Sequence, residues 1–217
     1  MNSQRLSLPV ALFFLALLPA LAAPVDQARE FNRQGIELQS RGELKSAADL
    51  YRKAIQINPN GAGYHNNLAV VLKDLDQLPQ AEAEARTALR MRPQRSDYHF
   101  NLGLILQKQK RYTEAEASFG EALKLDPADT ECHYRLAQVL LAAESLDRAV
   151  DEMKLALMLK PDKSEYLELL GDIYFKQNKL DEALYQYKLV MDARGLTAAT
   201  ISGDLKNKID FIRQARK

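Results

Sequence analysis

From Ser96 to Asp129 the apolar residues recur every three or four positions, first through Leu102, Gly103, Ile105 and Leu106, then through Tyr112, Ala115, Phe119, Ala122 and Leu123. That spacing places each set on one face of an α-helix, so the stretch predicts two short amphipathic helices. Pro127 stops the second, because proline lacks an N–H and clashes with the turn before it. Pro59, Pro93, Pro127 and Pro161 each follow the last by 34 residues. A hairpin of this size cannot hide its apolar face alone, and a fixed period predicts hairpins stacked on one another.

Five units align on the prolines, at 28–61, 62–95, 96–129, 130–163 and 164–197. The eighth position is Gly35, Ala69, Gly103, Ala137 and Gly171, and the twentieth is Ala47, Ala81, Ala115, Ala149 and Ala183. Small side chains are needed where two helix backbones approach closely. Position 27 adds Ala54, Ala88, Ala122 and Ala156 before Val190. Larger residues beside them fill the remaining space: Leu44, Leu78, Tyr112, Leu146 and Leu180 at position 17, and Tyr51, Ala85, Phe119, Met153 and Tyr187 at position 24.

Small residues, large residues and a terminal proline in this order resemble the tetratricopeptide repeat (TPR) family over about 170 residues. The resemblance implies an all-α fold, a right-handed superhelical solenoid of antiparallel helix pairs. Two departures stand out. Position 4, where the family places a large aromatic, is Phe31, His65, His99, His133 and Leu167, and Gly195 replaces the fifth proline. Glycine also ends helices, through the left-handed cap, so the second departure leaves the architecture intact.

The ends of the array differ from its middle. Positions 3 and 10 are Glu30 and Glu37 in the first unit, against Tyr64, Tyr98, Cys132 and Tyr166, and Val71, Ile105, Val139 and Ile173, in the others. Glutamates at faces that would meet a preceding unit read as a polar outer cap. Residues 198–217 predict a capping helix, with Thr197 as N-cap and an apolar stripe of Ile201, Leu205, Ile209, Phe211 and Ile212; Lys206, Lys208, Asp210, Arg213, Arg216 and Lys217 fall on the polar side.

Before the repeats, Arg5 is followed by an apolar run from Leu6 to Leu18 and then by Ala20 and Ala22. This is the layout of a secretory signal peptide, with cleavage expected after Ala22 so that residues 1–22 are removed and 23–27 form a linker. Export to a bacterial periplasm is the corresponding expectation; secretion, or retention of the segment as an inner-membrane anchor facing the periplasm, are the alternatives, since about 20 apolar residues span a bilayer. No Asn-x-Ser/Thr acceptor is present, and the lone Cys132 cannot close an internal disulfide.

Charge and chemistry narrow the function further. The chain has 30 Lys and Arg against 29 Asp and Glu. Such a balance offers no excess cation to phosphates, so nucleic acid is not an expected ligand. The three histidines all fall at position 4, but equivalent places on stacked helices lie about 8–10 Å apart, too far to share a zinc whose ligands sit at about 2.0–2.1 Å. Each imidazole is expected instead to pack in place of the aromatic and bond locally. Cys132 and His133 are adjacent on a helix and point about 100° apart, so they do not make an activated pair. No nucleophile set, phosphate loop or paired carboxylates stand out; no cofactor and no enzymatic activity are expected.

The resemblance implies that positions 2, 5, 6, 9 and 12 line a concave groove. On that basis Asn32, Arg33, Asn66, Asn67, Val70, Phe100, Asn101, Leu104, Tyr134, Arg135 and Gln138 are the candidate partner-binding residues. Asparagine carries both a donor and an acceptor, which suits the backbone of a bound peptide, and Phe100 and Tyr134 add apolar area. One subset of the family grips a C-terminal carboxylate with lysines at positions 5 and 2; this chain has lysine at neither. A non-catalytic scaffold or adaptor holding a protein or peptide segment, in assembly of a cell-envelope complex, is the expected function. The alternative is a membrane-tethered structural subunit.

Overall fold

The computed structural model describes residues 18–197, 200–201 and 203–215, with side chains from residue 25 onward. Among these residues it contains eleven α-helices: α1 Leu18–Ser40, α2 Leu44–Ile57, α3 Ala62–Asp74, α4 Leu78–Met91, α5 Ser96–Lys108, α6 Tyr112–Leu125, α7 Thr130–Ala142, α8 Leu146–Leu159, α9 Ser164–Lys176, α10 Leu180–Ala193 and α11 Gly203–Ala215. They fall into two compact units, Met1–Pro93 and Gln94–Lys217.

In the first unit α1 packs on α2 and α3 on α4, with α2 against α3 joining the hairpins. In the second, α5–α6, α7–α8 and α9–α10 are the hairpins, α6 meets α7 and α8 meets α9, and α11 packs on α10. All five position-20 alanines are fully buried, as the close approach of their helices requires. Position 8 is tighter still. A Cβ on Gly35 would lie 2.6 Å from the Tyr51 ring, and one on Gly171 2.5 Å from the Tyr187 ring. Units with alanine at this place carry Ala85 or Met153 opposite, so the bulk is divided differently across the same gap.

Every turn between paired helices has one residue in the left-handed region: Gly42 (φ 79°), Asp76 (62°), Lys110 (60°), Glu144 (60°) and Asn178 (59°). Around Lys110, its own N–H reaches Gln107 O and the next, Arg111 N–H, reaches Leu106 O, which satisfies the last carbonyls of α5 in a Schellman motif. Gly195 (φ 62°) ends α10 the same way, with Gly195 N–H on Asp192 O and Leu196 N–H on Met191 O. The other second helices stop two residues before their prolines, with Asn58, Arg92, Asp126 and Lys160 between them leaving the helical conformation.

Four details differ from the sequence reading. Residues 23–27, expected as a linker, are helical and belong to α1; Pro24 forgoes one backbone bond there, but Ala28 is fully buried and packing holds the segment. Residues 1–17 of the apolar segment lie outside the described residues. Thr197 does not cap α11, which begins at Gly203; the Thr197 carbonyl instead accepts from Thr200 and Ile201 N–H in a separate turn. Finally, Leu205, Ile209 and Ile212 bury themselves against Leu184, Tyr187 and Val190, while Phe211 is 55% exposed and meets Phe175 edge-on at 5.6 Å. The helical period explains it, since residues four and seven past Leu205 share its face and residue six does not. Lys208, expected on the solvent side, is drawn in by Asp172 at 2.7 Å and Asp204 at 2.6 Å.

Candidate functional site

The candidate partner-binding residues all lie on the first helix of a hairpin, and each compact unit presents its own set. In the first unit Asn67 Nδ2 donates to Asn32 Oδ1 at 2.9 Å, joining α3 to α1. Asn66 is only 7% exposed and so offers a ligand little surface. Arg33 is fork-bonded to Glu30 on its own helix, at 2.9 and 2.6 Å. That guanidinium, with Gln34, holds the Glu30 carboxyl down to about 2. Val70 is half-buried on α3, and Ile36 is half-exposed.

In the second unit the face is more aromatic. Phe100 is half-buried against Phe119, ring centroids 5.7 Å apart, and Asn101 and Leu104 follow it half-buried on α5. On α7, Tyr134 stacks on Tyr166 of α9 at 5.1 Å and 25°. The Arg135 guanidinium lies 5.5 Å from the Tyr134 ring centroid, donates to Glu131 at 2.8 Å and to Gln138 at 3.3 Å. Burial pushes the Tyr134 hydroxyl pKa up. Further along, Asp172 accepts from the Tyr187 hydroxyl at 2.8 Å as well as from Lys208.

This geometry sorts the candidates. Phe100, Leu104 and Tyr134 supply apolar and ring surface, and Asn101 and Gln138 supply amides. Arg33 and Arg135 are each held by a neighbouring carboxylate, so neither is a ready grip for an anionic terminus. Two partners in this network, Glu131 and Tyr166, were not among the candidates; the sequence signal for both was their place at positions 2 and 3 of successive units.

Two of the three histidines, His65 and His133, are tied down individually. His65 meets Glu84 through Nδ1 at 2.6 Å and the Pro59 carbonyl through Nε2 at 3.0 Å; His133 meets Glu152 at 2.7 Å and Pro127 O at 3.0 Å. The expected local bonding is therefore present at these two, with both ring nitrogens engaged. Among the described residues no group of three His, Cys, Asp or Glu is placed to hold a metal ion. Cys132 is buried, its Sγ 3.5 Å from Phe119 O, and burial pushes the thiol up to about 12, away from reactivity.

In the second unit a groove of about 510 Å³ runs between α6 and α8 over Leu136, its apolar lining interrupted by the Glu116–Arg148 and Glu121–Lys124 pairs. The first unit has a smaller counterpart of about 360 Å³ over Leu68 and Leu72. No helix among the described residues is long and apolar enough to cross a membrane.

Family models match three overlapping stretches, 35–76 as a TPR repeat and 66–130 and 106–173 as a tetratricopeptide repeat. The chain is a tetratricopeptide repeat protein. Among solved structures, this TPR protein is similar to PilF of Pseudomonas aeruginosa, with 26% identity over 88% of this chain and 87% of that one and a TM-score of 0.74. It is similar to MamA from Desulfovibrio magneticus RS-1, with 21% identity over 78% and 96% of the chains and a TM-score of 0.73. YrrB, described as a TPR protein with an unusual peptide-binding site, matches at 21% identity over 83% and 93%, TM-score 0.68. No curated protein matches the sequence. The fold is thus the all-α TPR solenoid of helix pairs, closed by a C-terminal helix, and the family is one of protein-interaction scaffolds.

Proposed function

We propose that this protein is a non-catalytic, extracytoplasmic adaptor that holds a polypeptide segment against the first-helix face of its repeats and serves in assembly of a cell-envelope complex. The observation that carries it is the half-buried row of Phe100, Leu104 and Tyr134, flanked by the amides of Asn101 and Gln138. Ring and methyl surface there supplies affinity without demanding a particular charge, and amides can pair with the backbone of an extended chain. A TPR neighbour described by its peptide-binding site supports the same reading.

Export to the periplasm rests on the apolar residues 1–22. A photo-crosslinking residue at Leu104 tests the binding face. An adduct in cells that is lost when Phe100 and Tyr134 are both changed to alanine, with helicity unchanged, is the expected result. Equal crosslinking from a residue placed at Ala117, on α6 in the groove between α6 and α8, would refute it.

A second reading is favoured by α1, which is one helix from Leu18 across the expected cleavage point to Ser40. If residues 1–22 are retained, the repeats are tethered to a membrane as a structural subunit. The intact mass of the protein purified from cells separates the two.

A further inference from the structure

His65 and His133 occupy the same place in different compact units, and both bonds are repeated to within 0.1 Å. In each, Nε2 faces a backbone carbonyl, which can only accept, and Nδ1 faces a carboxylate, which when ionised can only accept. A neutral imidazole has one N–H, so either tautomer would set a lone pair against an oxygen. Only a ring with both nitrogens protonated, or the equivalent sharing of that proton with the carboxyl, satisfies both contacts.

We propose that His65–Glu84 and His133–Glu152 are acid-held clasps: each protonated ring pins the proline turn before its hairpin to the hairpin's second helix, and loss of its second proton to solvent releases that junction. His133 sits on α7 and joins the turn after α6 to α8; His65 sits on α3 and joins the turn after α2 to α4. The two rings work independently, each within its own unit.

The surroundings favour the charged ring. Around His133, Glu116, Glu121 and Lys124 of α6 and Arg148 and Glu152 of α8 line the open side, with no residue of α5 or α9 among that lining. Glu116 is neutralised by Arg148 and Glu121 by Lys124, which leaves Glu152 to the imidazole, with Asp129 before α7 adding to the field. Around His65, Glu84 acts with the Pro59 carbonyl, while Arg90 of α4 opposes; Arg52 of α2 lines the nearby groove and is paired with Asp49. The carboxylate bonds hold both imidazoles above the ordinary histidine range, against the smaller opposing effect of burial.

The sign follows from linkage. A raised folded-state pKa contributes stability that is complete below about 6.5, the value of a free histidine, and is lost as pH rises through the folded pKa. In that window the local opening constant of each clasped hairpin rises by up to about tenfold per pH unit.

The test is two-bond ¹H–¹⁵N NMR of the histidine rings in the full chain, with amide exchange corrected for its intrinsic rate, between pH 6 and 9. Both nitrogens of His65 and His133 are expected to be protonated at pH 7, and exchange from α3 and α7 to accelerate above it. Glu152→Gln can turn an amide N–H toward an unprotonated Nδ1, so this variant should lose the pH slope around α7 while the slope around α3 persists. Neutral rings at pH 7, exchange that is flat with pH in the parent chain, or an unaltered α7 slope in the variant would each overturn the proposal.

Discussion

Gly103 faces Phe119 so closely that a Cβ on the glycine would lie 2.6 Å from Cε1 of the ring. The ring itself is fully buried and cannot swing away. Gly103→Ala should therefore cost about 1–2 kcal/mol, the overpacking penalty outweighing the roughly 1 kcal/mol that alanine gains in helix propensity. Adding Phe119→Met should recover part of the loss, because the fourth unit packs Ala137 with Met153 at the same two places. Urea unfolding of the single and double variants measures both effects.

Lys110 has φ 60° at the turn where the first unit uses Gly42. A side chain in that conformation is strained against its own backbone, while glycine is not. Lys110→Gly should stabilise the protein by about 1 kcal/mol, seen as a higher urea midpoint with an unchanged slope.

Cys132 should resist alkylation in the folded state. Its thiol is fully buried and raised to about 12, so at pH 8 both access and thiolate are scarce. Labelling with iodoacetamide should be slower by at least about a hundredfold than in denaturant. A rate equal to that of the unfolded chain would mean that α7 does not stay docked on α6.

Removing residues 203–217 should fray the fifth hairpin before any other. Leu205, Ile209 and Ile212 cover the α9–α10 pair, at about 1.5–3 kcal/mol for each side chain that is uncovered, and Asp172 would lose Lys208. Amide exchange should accelerate in α9 and α10 while α5 and α6 stay protected. Uniform loss of protection across residues 94–193 would argue against a separable cap.

The helical hairpins were legible because their instructions are local and repeated. A proline every 34 residues, alanine at position 20 and a glycine or alanine at position 8 fix where helices stop and where they touch, whatever lies further away. Positions 8 and 20 are buried in all five units. The glycine that replaces the last proline was equally readable, since a left-handed cap ends a helix by backbone geometry alone.

The candidate site was legible only as a face. Which residues belong to it is what the family resemblance implies; which bonds they make there is not. Arg135, a candidate partner-binding residue, is held by Glu131 and Gln138, and Asn67 is bonded to Asn32 of the neighbouring hairpin.

By itself, then, the order of residues determined the repeat, the helices and the small-to-large packing, because each is encoded within a few turns of chain. Tertiary structure alone decided that His133 meets Glu152 and Pro127 and that Lys208 reaches Asp172. Those partners are 6 to 36 residues apart along the chain. Whether a polar pair forms depends on tenths of an ångström in the distance and rotation between packed helices, and no periodicity carries that information.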